Sequence, residues 1–441
     1  MKKLLGLFSA LVMLFVCVVM NVTVCAANQT TLSVSQLSGK IKTQGRVYQT
    51  SDKLYVDWSA SGIEFTANCA GDVYVTFDVE TVNQDYQTGG VFFTVVVDGV
   101  TRNRDFCRLR YTGEHKFKIA SNLPSGEHRF EIYRQSEIGS KVAIKSISLT
   151  GTIQTAPKAN DLYIEFIGDS ITAANGILAT SATENSGAPI YVDATKGYAY
   201  LAAHEYLKAD FSTVAVSGIG ASIGWRTDTM QDVYPKLRYP HDDKTAYNFS
   251  RKPNLIVLAL GTNDINRYQN AGLSLENVKQ GFVDMLNLVR KQNPGVPILW
   301  IHGMMVDGSS PLIEQVIAEA GGASAKLYEL RLPKSNAGGN GHPDEEQHAL
   351  FAEMLSDYIT DLLNLKSPAT TPTKTQTTTV STALSTVATT TISSAAATTM
   401  TTSTENVQEE QTLWWIPVVL GAAVLVLIAT IVVIVCLVRK K

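Results

Sequence analysis

Four short segments of the chain have residue types suited to acyl transfer. They are Gly168-Asp169-Ser170, Ser217-Gly218, Gly261-Thr262-Asn263-Asp264 and Gly341-His342-Pro343. A serine hydroxyl activated by a histidine can attack an ester carbonyl, and backbone N–H groups or an asparagine amide can bind the oxyanion that forms. Taken singly, each segment fits an ordinary turn or a helix N-cap about as well. The chemistry becomes a working hypothesis because the four segments occur together.

Each segment then has a predicted role. Ser170 is the candidate nucleophile and His342 the candidate general base. Gly218 has no side chain to block its N–H, and the Asn263 amide can donate to the same oxyanion. Pro343 keeps His342 extended, which lets the imidazole project from a loop toward the serine. We expect no cofactor and no metal, since the sequence contains no CxxC or clustered His/Cys spacing.

Predicted strands position these segments. Three of four strand candidates end directly before the Ser, Gly and Asn segments; the four are Tyr163–Ile167, Phe211–Val216, Leu255–Leu260 and Ile298–Ile301. Helical patterns lie between or after them, at Tyr198–Leu207, Leu275–Lys291 and Gln347–Leu363. Strands alternating with helices predict a parallel sheet covered on both faces, with the site beyond the carboxyl ends of the strands. We assign residues 160–365 to this α/β domain.

Residues 28–155 predict an all-β sandwich. Strand candidates recur at roughly ten-residue spacing with turn residues between them; they are Asp72–Val79, Val91–Val97, His115–Ile119, His128–Tyr133 and Val142–Leu149. Residues 150–160 would join the two domains. Cys69 and Cys107 lie in this region, and the sequence leaves open whether they form a disulfide or two separate thiols.

Taken together, the four segments resemble those of the SGNH (GDSL-type) hydrolase superfamily, which is named for these residues. The resemblance covers about 200 residues and implies a three-layer α/β/α flavodoxin-like fold. It also implies that Ser170 is the nucleophile and His342 the base, with an oxyanion hole formed by the N–H groups of Ser170 and Gly218 and the Asn263 side chain.

The order of the domains adds a narrower resemblance. A jelly-roll-type sandwich followed directly by an SGNH domain is similar to carbohydrate esterase family 2, the two-domain acetyl-xylan esterases. This implies a carbohydrate O-acetylesterase that acts on acetylated polysaccharide or oligosaccharide and needs no cofactor.

One position departs from the SGNH pattern. Many of these enzymes carry an aspartate three residues before the histidine, where this chain has Gly339. A Ser-His dyad would then need a neutral group, Asn340 or a backbone carbonyl, to orient His342. Asp344 is the less favoured alternative. Trp225 and Tyr268 are candidates for a sugar subsite, although burial in the core is the favoured interpretation for both.

The termini predict export and membrane attachment. Residues 1–27 have the basic start, apolar run and small-residue end of a signal peptide. Residues 366–411 are rich in Thr and Ser and predict a disordered stalk. Residues 412–438 are long and apolar enough for a single transmembrane helix, followed by a cytoplasmic basic tail at 439–441. The catalytic domain would therefore be extracellular and tethered to the cell membrane.

Two other functions remain open at this point. The net charge of −3 and the lack of a basic patch give no indication of a nucleic-acid partner. A catalytically weak or inactive carbohydrate-binding surface protein would fit the missing aspartate. An esterase acting on the cell's own envelope glycan or on lipid would fit the membrane tether.

Overall fold

The computed structural model describes residues 29–365 except 86 and 138, and gives no side-chain description for Asp242 and Asp243. The predicted signal peptide, stalk, transmembrane helix and basic tail fall outside the described residues. Within the described part of the chain, no helix has both the length and the apolar character needed to cross a bilayer.

Ten strands make up the N-terminal domain. They are β1 Thr30–Ser33, β2 Lys42–Gln44, β3 Tyr48–Gln49, β4 Leu54–Tyr55, β5 Gly62–Thr81, β6 Val91–Val97, β7 Val100–Thr101, β8 Cys107–Leu109, β9 Gly113–Arg134 and β10 Lys141–Ile153. Short 3₁₀ turns occur at Val34–Leu37 and Arg104–Phe106. All strand pairs are antiparallel, and the main path runs β3-β4-β10-β5-β9-β6-β7.

The predicted all-β domain is present, but its strands are joined in one sheet and some are far longer than expected. β5 has 20 residues and β9 has 22, so the two separate candidates at His115–Ile119 and His128–Tyr133 belong to one strand. Gly71 lies at a bulge within β5, because it has a φ of +75° and the β5–β9 register shifts on both sides of it. Residues from both halves of β5, such as Phe65 and Phe77, enter the same hydrophobic cluster. The sheet therefore bends around one core.

The thiols of Cys69 and Cys107 are both free and buried in this cluster. The structure thus selects two separate thiols over the disulfide.

The C-terminal domain has a five-stranded parallel sheet. Its strands are β11 Tyr163–Gly168, β12 Asp210–Ala215, β15 Leu255–Ala259, β16 Ile298–His302 and β17 Leu327–Arg331, and a two-stranded hairpin is formed by β13 Lys236–Arg238 and β14 Asp242–Ala246. The sheet order is β12-β11-β15-β16-β17, which is the 2-1-3-4-5 order of flavodoxin-like folds. The predicted doubly wound α/β domain is therefore present.

Helices cover both faces of this sheet. They are α1 Tyr198–Tyr200, which continues as a π-helical segment over Leu201–Tyr206, α2 Met230–Val233, α3 Thr262–Arg267, α4 Leu275–Gln292, α5 Ser310–Glu319 and α6 Glu345–Leu362. Further 3₁₀ turns lie at Pro189–Tyr191, Ala194–Lys196, Gly322–Ala325 and Gly339–Gly341. Phe282 on α4 and Ile313 on α5 pack with one face, and Phe351 on α6 packs with the other. These contacts make three layers.

Six strands and helices of this domain were absent from the sequence prediction: β13, β14, β17, α2, α3 and α5. β17 has the sequence Leu-Tyr-Glu-Leu-Arg, and its alternation of apolar and charged residues suits an edge strand with one exposed face. The α5 helix begins at Ser310 and carries Pro311 in its first turn. The observed sheet therefore has five strands, one more than the four recognised from sequence.

The two domains share buried contacts. Arg46 of the β-rich domain forms an ion pair with Glu165 of β11 at 3.1 Å, and both side chains are buried. Asp57 accepts a 2.6 Å hydrogen bond from Arg238, and Trp58 packs into a core cluster of the parallel sheet. Buried side chains of the β-rich domain thus pack against and bind the α/β domain.

Candidate active site

Ser170 and His342 meet at the carboxyl end of the parallel sheet. Ser170 lies two residues after the end of β11, and His342 lies just before α6. His342 Nε2 is 2.8 Å from Ser170 Oγ, although 172 positions separate the two residues in sequence. Both are largely buried, with 6% and 8% of their surface exposed. The structure therefore brings the predicted nucleophile and base into hydrogen-bond contact.

The second ring nitrogen of His342 fixes the tautomer. His342 Nδ1 is 2.8 Å from the backbone carbonyl oxygen of Gly339. Because a carbonyl oxygen can only accept, Nδ1 must carry the proton and donate. Nε2 then has a free lone pair that accepts a hydrogen bond from the Ser170 hydroxyl. This is the tautomer that a general base requires.

The orienting group is thus a backbone carbonyl, one of the two neutral groups considered from sequence. Asn340 Oδ1 accepts a hydrogen bond from Ser186 N–H at 2.7 Å and so holds the loop. Asp344 Oδ1 accepts from Gln347 N–H at 3.0 Å and caps α6. The carbonyl comes from Gly339, the position at which many related enzymes carry the aspartate.

Crowding explains the glycine at this position. A Cβ on Gly339 would lie 3.0 Å from Ala179 Cβ, 3.1 Å from Glu184 O and 3.2 Å from Ser186 Cα. The positive φ angles of this turn belong to the next two residues, Asn340 at 51° and Gly341 at 72°. A side chain at position 339 therefore requires its neighbours to move.

Burial favours the neutral form of His342. Desolvation lowers the pKa of His342 below its ordinary value of 6.5, and the hydrogen bond to Gly339 partly opposes this shift. The imidazole is therefore neutral, and able to accept a proton, at neutral pH.

Two backbone N–H groups just beyond the adjoining carboxyl ends of β11 and β12 are available as hydrogen-bond donors. Gly218 has a φ of +76°, a left-handed conformation that glycine adopts without strain. Within residues 29–365, the N–H groups of Ser170 and Gly218 have no protein acceptor. Free donors next to a nucleophile are what an oxyanion hole requires.

Asn263 lies in the first turn of α3, close to the carboxyl ends of β11 and β12. Its Nδ2 donates to Ile219 O at 2.8 Å and to Asp169 Oδ2 at 3.2 Å. Burial raises the pKa of Asp169 to about 7, and the charges of Asp264 and Glu137 add to this shift. A hydrogen bond from Ile171 N–H partly opposes it. Both hydrogens of the Asn263 amide therefore have protein acceptors, and donation to an oxyanion requires one of these two bonds to break.

Asp264 holds the Gly218 loop. Its carboxylate accepts four hydrogen bonds from Ala221 N–H, from the N–H and hydroxyl of Ser222, and from Ile223 N–H. Asp264 therefore has a structural role in this loop.

The interpretation of Trp225 as a core residue is wrong. Trp225 is 63% exposed, and the Arg267 guanidinium lies 4.3 Å from its ring centroid. Its backbone N–H donates to Gly218 O at 2.7 Å. An exposed indole therefore adjoins the candidate oxyanion loop, the segment that contains Ser217 and Gly218. A loop position explains the exposure, because Trp225 lies between β12 and α2 rather than on an element of the core. Tyr268 is partly buried and packs against a core cluster, as expected.

Two residues near the site, Glu137 and Asn175, were not found from sequence. Glu137 Oε1 accepts a hydrogen bond from Ser217 N–H at 2.7 Å, and Glu137 Oε2 accepts from Asn175 Nδ2 at 2.8 Å. Asn175 lies five residues after Ser170, a proximity that could have identified it. Glu137 belongs to the β-rich domain and carries no sequence signal that links it to Ser170.

One group in the described part of the chain has the composition of a metal site. His302, Glu314 and Glu329 have potential ligand atoms within 4.8 Å of one another, but both glutamates are exposed. None of the three forms a hydrogen bond with Ser170 or His342. The geometry at Ser170 assigns this group no part in the chemistry there.

Comparison with known families matches both domains. Residues 164–337 match the GDSL-like lipase/acylhydrolase family, and residues 43–157 match the carbohydrate esterase 2 N-terminal family. His342 lies beyond the end of the first match. A curated relative, the cellulase/esterase CelE of Acetivibrio thermocellus, is 28% identical over 264 residues, which cover 56% of this chain. The matched region spans only 31% of that relative.

Solved structures share the two-domain architecture. A family two carbohydrate esterase from Clostridium thermocellum in complex with cellohexaose is 25% identical, has a TM-score of 0.66, and is covered over 100% of its length by 74% of this chain. An acetyl xylan esterase from Butyrivibrio proteoclasticus is 22% identical with a TM-score of 0.67, covering 76% of this chain and 99% of its own. The chain is therefore similar in sequence to the GDSL-like lipase/acylhydrolase family over residues 164–337 and to the carbohydrate esterase 2 N-terminal family over residues 43–157.

Proposed function

We propose that this protein is an esterase that removes acetyl groups from carbohydrate, with Ser170 as nucleophile and His342 as general base. The observation that carries the proposal is the continuous hydrogen-bond chain from Gly339 O through the His342 imidazole to Ser170 Oγ, with 2.8 Å at each step. Such a chain gives a serine both an acceptor for its proton and a fixed line of attack.

In the acylation step, the unprotonated Nε2 of His342 acts as the base. The Ser170 hydroxyl gives its proton to His342 Nε2 as Oγ attacks the ester carbonyl carbon. The carbonyl oxygen becomes an oxyanion and receives hydrogen bonds from Ser170 N–H, Gly218 N–H and Asn263 Nδ2. The His342 imidazolium then protonates the departing sugar hydroxyl, and an acetyl-Ser170 ester remains.

Deacylation uses the same groups. His342 Nε2 takes a proton from water as the water oxygen attacks the acetyl carbonyl, and the second oxyanion occupies the same donors. Collapse of this intermediate releases acetate and returns the proton to Ser170 Oγ. The Gly339 carbonyl stabilises the imidazolium by accepting from Nδ1 in both steps, without the full negative charge that an aspartate supplies.

A sugar substrate fits the polar and aromatic groups around Ser170. Trp225 offers an exposed indole next to Gly218, and an apolar aromatic face suits the C–H face of a sugar ring. The cellohexaose bound by the Clostridium thermocellum esterase supports a carbohydrate as the class of substrate. Acetylated polysaccharide is therefore the proposed substrate class, with xylan as the first polymer to test.

Acetate release separates this function from the alternatives. Wild-type protein and Ser170→Ala should be compared on p-nitrophenyl acetate, acetylated xylan, acetylated bacterial polysaccharide and a short-chain triglyceride. We expect Ser170-dependent acetate release from acetylated xylan. Turnover of none of these substrates would favour a binding protein, and turnover of the bacterial polymer or the lipid alone would favour an envelope substrate.

The predicted location is also part of the proposal. An exported enzyme on a Thr/Ser-rich stalk, anchored by residues 412–438, would act at the outer cell surface. That position would let it reach polymeric substrates that do not enter the cell.

A further inference from the structure

A carboxylate from the β-rich domain contacts the backbone of the candidate oxyanion loop. Glu137 follows the end of β9, and its Oε1 accepts a hydrogen bond from Ser217 N–H at 2.7 Å. Ser217 is the residue directly before Gly218. The same peptide segment that presents the Gly218 N–H is therefore attached to the other domain through one side chain.

The second oxygen of Glu137 reaches the turn that follows Ser170. Glu137 Oε2 accepts a 2.8 Å hydrogen bond from Asn175 Nδ2, and this Nδ2 also donates to Ser217 Oγ at 3.0 Å. The Asn175 backbone N–H in turn donates to Ser170 O at 2.9 Å. One carboxylate thus joins the nucleophile turn to the oxyanion loop.

Glu137 is itself held rigidly by the β-rich domain. The guanidinium of Arg134, which is completely buried, donates to Ser136 O at 3.0 Å and to Glu137 O. Gln135 N–H donates to Phe92 O of β6 at 2.9 Å. The loop that carries Glu137 is therefore fixed to the sheet from which it emerges.

The buried surroundings of Glu137 strengthen the hydrogen bonds that its carboxylate accepts. Burial raises the pKa of Glu137, while its hydrogen bonds and the charges of Arg226 and Arg134 oppose the shift. A desolvated carboxylate with two protein donors forms stronger hydrogen bonds than an exposed one. Protonation would weaken these contacts, because the carboxyl would lose its negative charge and one oxygen would carry an O–H donor of its own.

We propose that Glu137 is a positioning residue for ester hydrolysis: the β-rich domain uses its carboxylate to set the distance between Gly218 N–H and Ser170. The inference rests on the proposed function of Ser170 and Gly218. It makes the β-rich domain part of the catalytic apparatus rather than only a domain for binding glycan.

A positioning role and a substrate-binding role predict different kinetics. Glu137 lines a cavity of about 430 Å³ that also borders Asn175, Ser217 and Arg226, so a direct contact with sugar is the competing role. A misplaced oxyanion donor weakens the transition state alone and lowers kcat. A lost contact to bound sugar raises KM instead.

Glu137→Gln is the central variant. The amide keeps the size of the side chain and one acceptor oxygen, but it faces Asn175 or Ser217 with a donor. Loss of a single oxyanion donor costs about 10²–10³ in kcat, and displacement of Gly218 should cost part of that. We expect kcat on p-nitrophenyl acetate to fall about 10–100-fold with KM changed by less than about threefold.

Glu131→Gln is the matched control. Glu131 lies on β9, six residues before Glu137, and forms an ion pair with His204 of the α/β domain at 3.1 Å. Its substitution disturbs another contact between the two domains and leaves Ser217 and Asn175 untouched. We expect its kcat to equal that of the wild type.

A reversible boronic acid supplies a second readout. Boronic acids form a tetrahedral adduct with a nucleophilic serine whose anionic oxygen occupies the oxyanion hole. The inhibition constant should rise in Glu137→Gln in proportion to the loss of kcat/KM, and stay constant in Glu131→Gln. If Glu137→Gln does not fold, Asn175→Ala removes one of the two Glu137 partners and should show a smaller kcat loss at constant KM.

Three results would overturn the inference. The first is a kcat of Glu137→Gln, or of Asn175→Ala as the substitute variant, that equals the kcat of Glu131→Gln. The second is a rise in KM with an unchanged kcat. The third is an affinity for the boronic acid that does not change. In each of these cases the wild type still hydrolyses ester, so the proposed function survives. A wild-type protein with no Ser170-dependent turnover would instead remove the proposed function and the inference together.

Discussion

Substitution of Asp344 by asparagine distinguishes a neutral partner of His342 from a triad acid. Asp344 Oδ1 accepts from Gln347 N–H at 3.0 Å as the N-cap of α6, and the group that accepts from His342 Nδ1 is Gly339 O at 2.8 Å. Asparagine is as good an N-cap as aspartate, and the loss of a negative charge at a helix N-terminus costs about 0.3–1 kcal/mol. The free energy of unfolding should therefore fall by no more than about 1 kcal/mol.

The expected change in activity is correspondingly small. We expect kcat of Asp344→Asn to stay within about threefold of the wild type, because no bond to His342 is altered. In a full triad the same change costs about 10⁴ in kcat, or about 5.4 kcal/mol in the activation free energy. Steady-state kinetics on p-nitrophenyl acetate, with circular dichroism as the check on folding, can separate outcomes that differ by so much.

A loss of kcat above ~10³ in folded Asp344→Asn would refute the assignment of the Gly339 carbonyl. Asp344→Ala is the control for capping, and it should lower stability by about 1 kcal/mol while leaving kcat near the wild-type value. Gly339→Asp, which restores the usual acid, should lose stability without gaining activity, since its Cβ would lie 3.0 Å from Ala179 Cβ.

Three further outcomes are expected. Asn263→Ala should lower kcat by about 10²–10³ with little change in KM, and a pure KM effect would make Asn263 a substrate-binding residue. The acid limb of the kcat/KM–pH profile should have its midpoint below 6.5, because burial lowers the pKa of His342 and the base is active only when neutral; a midpoint near 7 would point to Asp169. Protease added to intact cells should cut within residues 366–411 and release an active soluble fragment, and esterase activity protected inside the cell would contradict the proposed topology.

Sequence was most informative where periodicity and chemistry coincided. The strands ending at Gly168 and Ala259 are apolar runs followed by polar residues, and both were located to within one residue. The Ser, Gly and Asn segments lie together because parallel strands bring their carboxyl ends to one edge of the sheet. The β17 strand escaped recognition since its charged residues hide the apolar run that marks a buried parallel strand.

Long-range contacts were beyond the reach of the sequence. The Gly339 carbonyl was only one of the neutral candidates, since no residue type reveals which backbone oxygen faces an imidazole. Glu137 approaches Ser217 across 80 positions and two domains. The exposure of Trp225 likewise depends on how its loop leaves the sheet, and a tryptophan by itself favours burial.

The turnover of Ser170→Ala and His342→Ala tests the central claim most directly. Purified variants with wild-type melting temperatures should be assayed for acetate release from p-nitrophenyl acetate and from acetylated xylan. The account predicts that each substitution lowers kcat by about 10⁴–10⁶, because nucleophile and base act as one unit. Activity near the wild-type level in either folded variant would contradict it.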